Sequence, residues 1–413
     1  MIKANEMIIA KDIYFDMNDL KTQLNNNVMV VGGSGCGKTR SIVSPNILQA
    51  TGSYIISDPK GNLYNKYANY LWEKGYEVKM INFTDPLNSA HYNFFPFIHS
   101  TQDILKIAHM LVYSDQTRTN KTLDPFWDEA TELLYQSLIA YLRFHRPMCD
   151  WKPENLFQLL RAGEIDENDV STLSALDVIM NEIGKDHPKD FAYKQYRKFR
   201  VGAGKTLRSI LITANAKLGA YDTYELNQMM AANDIDFASI GTRKTALFVV
   251  VSDTDRSMDT LANIFFTQAM NELCLFADTG CAEQRLPVPV RFILDDFATN
   301  CRIVEFPRMI SSIRSRAISV MLMLQAEGQL SAAYGEDDRT IIGNCDTYVY
   351  LGGNDMDTAN RIAMRCDMPL RKILYMPVGT NWVFRRGQSP INGSNFILED
   401  YEKECSSAQE VTR

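Results

Sequence analysis

A short apolar strand feeding a glycine-rich loop constrains this chain more than any other feature. The stretch runs Val28-Met-Val-Val-Gly32-Gly33-Ser34-Gly35-Cys36-Gly37-Lys38-Thr39 and has the spacing Gly-x-x-x-x-Gly-Lys-Thr. Glycines at those places let the backbone turn tightly against a phosphate, so that successive N–H groups surround its oxygens. The predicted cradle comprises Gly32, Gly33, Ser34, Gly35, Cys36, Gly37, Lys38, Thr39 and Arg40. Lys38 is placed to reach the β- and γ-phosphates, and the Thr39 hydroxyl to ligate Mg2+. A helix predicted from Lys38 to about Ala50 sets its N-terminus under the same phosphate. With a strand before it and a helix after it, the loop predicts binding of a nucleoside triphosphate.

A chain of 413 residues is long enough for two domains, or for one large domain carrying an insertion. Its formal charge of −7 argues against a uniformly basic nucleic-acid coat while leaving room for a local basic channel. The eight cysteines are scattered and include no Cys-x-x-Cys pair, which predicts reduced intracellular thiols rather than a disulfide framework or a zinc site. No apolar run approaches the roughly 18–20 residues of a membrane-spanning helix. The N-terminal Met-Ile-Lys-Ala-Asn-Glu lacks the apolar segment of a signal peptide. These features predict a soluble, cytosolic chain.

Short, continuously apolar runs recur at Val28–Val31, Tyr54–Ser57, Val78–Asn82, Ala246–Val251, Phe292–Leu294, Ser319–Leu324, Thr347–Leu351 and Trp382–Phe384. Such runs are expected of strands covered on both faces. Helix-compatible segments lie between them, among them Asn62–Lys74, Asp259–Phe276 and Thr358–Cys366. The alternation predicts an α/β fold with a mostly parallel, doubly wound sheet. From about Thr101 to Asn233 the rhythm breaks. Phe126, Ala130, Leu133, Leu134, Leu138 and Tyr141 recur at helical spacing behind the helix start Asp124-Pro125. Further helices are predicted at Pro153–Ala162, Thr172–Glu182, Phe191–Phe199 and Leu207–Leu218. The expected organisation is a discontinuous nucleotide-binding domain, residues 1–104 and 234–413, interrupted by an all-α insertion over 105–233. The tail from Glu402 to Arg413 is polar and expected to fray.

A second nucleotide-site element is Val290-Arg-Phe-Ile-Leu-Asp295-Asp296. An apolar strand ending in a carboxylate has the form that holds Mg2+, here through Asp295, while Asp296 stands where a residue orients or deprotonates attacking water. Two acidic residues capping a strand are the plainer reading, which the upstream loop disfavours. Asp58-Pro59-Lys60-Gly61 follows the second of these runs, at the carboxyl edge where ligand sites of α/β sheets form. It reads equally as part of the Mg2+ shell, as a subunit contact, or as an ordinary turn. Gln325 ends the run Ser319–Leu324 and could touch a γ-phosphate, or merely cap a strand. Arg314 and Arg316 precede it; each could reach a neighbouring subunit's site as an arginine finger, or could be solvated surface.

Two other segments imitate functional motifs. Gly202-Ala-Gly204-Lys205-Thr206 resembles the phosphate loop, but Phe199 stands where the first Gly is needed and no strand precedes it. It reads as a helix start. Tyr193-Lys-Gln-Tyr-Arg-Lys-Phe-Arg200 mixes basic and aromatic residues as single-strand binders do. An amphipathic helix with a packed aromatic side is the favoured reading.

The ordered set of motifs, with Ser44-Pro45-Asn46, His91-Tyr-Asn-Phe-Phe-Pro and Tyr348–Gly353 followed by Asn354-Asp355, resembles the TraG/TraD-like coupling proteins of type IV secretion and conjugation. The resemblance runs from about Asn27 to Asn395. It implies a RecA-like P-loop ATPase, interrupted by an all-α domain, that assembles into a hexameric ring. Such a ring engages a relaxase–DNA complex and moves single-stranded DNA toward the secretion channel with ATP and Mg2+. On this resemblance Lys38 and Thr39 bind phosphate and metal, Asp295 holds the metal, Asp296 positions water, Gln325 is the sensing glutamine and Arg314 the arginine finger.

The chain departs from the family pattern at Asp296, where many relatives carry Glu, one methylene longer. It also lacks the N-terminal membrane segment that usually anchors the ring, so either a membrane partner recruits it to the cytoplasmic face of the membrane or the reading frame is incomplete. Two rival readings are a cytosolic FtsK/HerA-type DNA translocase and a nucleotide-binding recruitment scaffold with little hydrolysis. The helical insertion and the absence of a winged-helix reader argue against the first. The shortened Asp296 keeps the second in play.

Overall fold

The computed structural model describes residues 2–3, 5–113, 125–164, 173–202, 204–299 and 301–410. The chain divides into two compact units. The first comprises Met1–Thr84, Asp236–Arg256 and Ala269–Arg413; the second, Asp85–Ile235 and Ser257–Gln268.

The first unit is built on eleven strands: β1 (Glu6–Ala10), β2 (Ile13–Asp16), β3 (Val28–Val31), β4 (Ser53–Ser57), β5 (Glu77–Asn82), β6 (Thr245–Val250), β7 (Val290–Leu294), β8 (Ile318–Leu324), β9 (Thr347–Tyr350), β10 (Thr380–Arg385) and β11 (Ile391–Ser394). Nine of them form one sheet in the order β11-β10-β9-β3-β8-β7-β4-β6-β5. From β9 to β5 every neighbouring pair is parallel. β10 and β11 add an antiparallel edge. All eight expected strands are present, and β3, β4, β6 and β8 are buried along nearly their whole length, as strands covered on both faces must be.

Three strands escaped the sequence reading. β1 and β2 form a separate antiparallel hairpin around Asp12, which turns at φ 60. The hairpin lays Met7, Ile9 and Phe15 on the core face of the sheet. β11 is a half-exposed, polar edge strand. The C-terminal tail also differs from expectation: Leu398–Glu410 is a helix. Leu398 is buried in the core cluster and Tyr401 and Cys405 pack against it, a stripe at helical spacing that outweighs the polar composition. Lys66 pairs with Glu402 at 2.7 Å and holds the helix further.

The second unit contains no strand among its described residues. Its principal helices are Thr101–Tyr113, Phe126–His145, Pro153–Ala162, Ala175–Asp186, Phe191–Phe199 and Gly204–Gly219. Asp124 and Thr172, invoked as helix starts, lie outside the described residues. The unit begins at Asp85 rather than 105 and takes in the first half of the long helix Asp259–Gly280. The reason is aromatic packing: Tyr92 meets Phe265 edge-on at 4.8 Å and donates its hydroxyl to Gln268 Oε1 at 2.6 Å. Both motif imitations resolve as helices. Gly204-Lys205-Thr206 opens the helix Gly204–Gly219. In Phe191–Phe199, Tyr196 and Phe199 are buried while Lys194, Arg197 and Lys198 are exposed.

Candidate nucleotide-binding site

The glycine-rich loop leaves β3 between the carboxyl ends of β8 and β9. Gly32 N–H donates to Leu324 O at 3.1 Å and Gly33 N–H to Gly352 O at 2.9 Å. A side chain at Gly32 would put its Cβ 2.9 Å from that of Leu351, so the close approach itself demands glycine. Gly37 turns at φ 89, a conformation costly for any residue with a Cβ. Lys38 is 8% exposed, and its ammonium donates back to Gly32 O at 2.6 Å and Gly33 O at 3.2 Å.

The helix after the loop is not regular. Thr39–Val43 is a π-helical turn and only Ser44–Leu48 is α-helical. Pro45 supplies the reason: it has no N–H to offer Ser41 O, so the preceding turn opens and Ser44 N–H bonds to Thr39 O instead. Asn46 then anchors the turn, accepting from Ile8 N–H at 3.1 Å and donating to Ile8 O and Ile42 O, each at 2.7 Å.

Thr39 and Asp295 come from opposite halves of the chain and meet here. Thr39 Oγ1 donates to Asp295 Oδ2 at 2.9 Å. Asp295 is 9% exposed; burial and the charge of Asp296 push its carboxyl above the usual carboxylate range, against the opposing Thr39 hydrogen bond. Among the described residues no group of three or more His, Cys, Asp or Glu could hold a metal. That suits Mg2+, which keeps waters and takes one or two carboxylates together with substrate phosphates. A hydroxyl and one buried carboxylate in contact are the donor set it requires. Asp296 adopts φ 50, and its Oδ1 accepts from Gln325 Nε2 at 3.3 Å.

The structure thus gathers Lys38, Thr39, Asp295, Asp296 and Gln325 at one edge of one sheet. Arg314 is not among them. It lies in the turn Ile313–Arg316 before β8, at the opposite end of the strand that Gln325 follows. Its guanidinium donates to Asp19 O at 2.8 Å, with Asp19 Oδ2 at 3.7 Å. Arg316 is held by a bidentate pair to Asp278 at 2.7 and 2.8 Å. Asp58 is 2% exposed and accepts Tyr64 N–H at 2.8 Å, which places it as a helix-start partner; burial raises its pKa.

The family described as "Type IV secretory system Conjugative DNA transfer" matches residues 2–368. The chain belongs to that family. A curated relative, the type IV secretion system-coupling protein VirD4 of Bartonella henselae, is 24% identical over 83% of this chain and 53% of its own length. The chain therefore spans about half the length of this conjugative-transfer relative. Among solved structures, the bacterial conjugative coupling protein TrwBdeltaN70 with sulphate superposes with a TM-score of 0.68 at 15% identity, covering 96% of this chain and 90% of that one. The plasmid coupling protein TrwB in complex with ADP and Mg2+ gives 0.66 at 16% identity, with 96% and 90% coverage. These likenesses establish a RecA-like P-loop NTPase fold for this conjugative-transfer family member.

Two parts of the site carry no motif in the sequence. Gln329 accepts Gln325 N–H at 2.8 Å and donates to Thr299 Oγ1 at 3.1 Å, tying the end of β8 to the turn after β7. Asn395, just beyond β11, donates to Cys36 O at 3.2 Å, and Arg40 pairs with Glu399. Neither shows a local motif; the helical glutamine Gln329, one turn beyond Gln325, carried the one available hint.

Proposed function

We propose that this chain is the ATP-dependent coupling ATPase of a conjugative or type IV secretion system. It engages a relaxase–DNA complex and drives single-stranded DNA transfer as a homo-hexameric ring. The observation that carries the reading is the meeting of Lys38, Thr39, Asp295, Asp296 and Gln325 at one sheet edge in a member of the conjugative-transfer family.

In this reading Gly32 to Arg40 cradle the phosphates of ATP, and Lys38 exchanges the Gly32 and Gly33 carbonyls for phosphate oxygens. Thr39 and Asp295 hold Mg2+, which when bound neutralises charge on the phosphates. Asp296 positions attacking water and takes its proton, while Gln325 touches the γ-phosphate and senses its loss. Arg314 completes the site of a neighbouring subunit. Support comes from distance: β8 has seven residues at about 3.3 Å each, so its two ends lie about 20 Å apart and Arg314 cannot serve its own loop. The nucleotide-binding unit is discontinuous and the helical unit is a separate insertion domain. Among the described residues no helix is long and apolar enough to cross a membrane. We place the protein at the cytoplasmic face of the membrane, docked to the secretion channel.

ATP turnover and particle size, measured with and without single-stranded DNA, test the proposal. DNA-stimulated hydrolysis by a hexamer-sized particle, lost in Lys38→Ala, is expected. Tight ATP binding without turnover would instead support the recruitment scaffold.

A further inference from the structure

The amino edge of the sheet holds a cavity of about 100 Å³, lined by residues before β3, β4, β7 and β8 and by the ends of those strands. At liquid density that is room for roughly three water molecules. Three guanidiniums line it, those of Arg285, Arg291 and Arg314, against a single carboxylate, Asp19. Asp19 is already committed, accepting from Arg285 at 2.6 and 3.2 Å and lying 3.7 Å from Arg314.

Arg291 is the anomaly. It is the second residue of β7, in register between Tyr54 of β4 and Ser319 of β8, on the face where Ile293, Met321 and Met323 form core. An apolar side chain is what that position calls for. The guanidinium is instead 7% exposed, and its hydrogen bonds are to Ser319 Oγ at 3.3 Å and Met17 Sδ at 3.1 Å. A hydroxyl and a thioether are weak, neutral partners for a group with five N–H donors. Among the described residues no carboxylate lies within ion-pair distance of it. A buried cation without a counter-charge is costly and persists where something else supplies the charge. Burial accordingly pushes the Arg291 guanidinium below its ordinary range.

We infer that this cavity is a binding subsite for one oxyanion group, a phosphate or a carboxylate, gripped by Arg291. The subsite is separate from the nucleotide loop, which lies at the other end of the same strands. Its ligand supplies the counter-charge that Arg291 lacks, Asp19 being taken up by Arg285 and Arg314.

Calorimetric titration of inorganic phosphate into the full chain at constant ionic strength tests this, with acetate as a second arm. The titration is run on Lys38→Ala, which weakens phosphate binding at the nucleotide loop, and on the same variant carrying Arg291→Met. Saturable binding that survives Lys38→Ala and weakens at least tenfold with Arg291→Met is expected. Binding by phosphate alone assigns the site to phosphate; binding by both anions assigns it to carboxylates as well. Binding lost in Lys38→Ala, binding indifferent to Arg291→Met, or no binding of either anion overturns the inference. Should Arg291→Met not fold, Ser319→Glu decides, because it supplies the missing carboxylate beside Arg291. It should raise Tm in anion-free buffer and abolish the anion response; a lower Tm with the response intact overturns the inference equally.

Discussion

The two ends of the central sheet are built from the same strands and have opposite chemistry. At the carboxyl end a lysine, a threonine, two aspartates and a glutamine converge, each engaged with another member of the site or with the loop backbone. At the amino end Arg285 and Arg314 meet Asp19, while Arg291, among the described residues, meets no carboxylate. In the proposed reading the carboxyl end still lacks a cation to meet the transferring phosphate. A head-to-tail association, which gives a ring where its rotation closes, would bring Arg314 of one subunit toward that end of its neighbour and leave Arg291 in its cavity.

Arg314→Ala tests that complementarity most severely. ATP turnover should fall by about 10³-fold, the worth of an arginine finger, while nucleotide affinity of the protomer stays unchanged. Mixing Arg314→Ala with Lys38→Ala should recover part of the turnover, because the second chain lends its Arg314 to the intact loop of the first. Failure to recover any breaks the contrast between the two ends.

Asp296→Ala should lower turnover by about 10²-fold, the lower range for a general base, with ATP binding retained. Unchanged turnover would sink the role given to Asp296. Gln325→Ala removes a hydrogen bond to the Asp296 carboxylate, worth about 1.5 kcal/mol, and should slow turnover about tenfold. A larger loss would mean that Gln325 also couples the ends of neighbouring subunits.

Asp295→Asn has the smallest expected effect on folding, and its sign is informative. Burial raises the Asp295 pKa above its unfolded value. Between those two values the folded state holds more protons, so stability falls as pH rises through that window and stays reduced at neutral pH. Asp295→Asn should therefore abolish Mg2+-dependent turnover yet raise Tm at neutral pH, with the gain disappearing under acid where Asp295 is protonated. A drop in Tm at neutral pH would show that Asp295 contributes more through its Thr39 bond than it costs by burial.

The nucleotide end was legible because its signals are local. Gly32 to Thr39 specify a turn by backbone freedom alone, and the buried strands announce themselves as short apolar runs whatever their partners. The hairpin β1–β2 was missed because its turn, Lys11-Asp12, carries neither Gly nor Asn, and its apolar side chains settle against residues far along the chain. The helix Leu398–Glu410 was missed because its stripe of Leu398, Tyr401 and Cys405 is diluted by charge. The start of the helical unit at Asp85 follows from Tyr92 packing on Phe265, a contact between residues far apart in the chain.

By itself the sequence determined that a phosphate-binding loop follows a buried strand, and that a parallel sheet carries it, since both depend on neighbours along the chain. Tertiary structure alone decided that Thr39 meets Asp295 across 256 residues, and that Gln325 rather than Arg314 joins Asp296. It also decided that Arg291 lies buried beside a hydroxyl and a thioether. The register of parallel strands sets which side chains share an edge, and register is a property of strands paired across the whole chain.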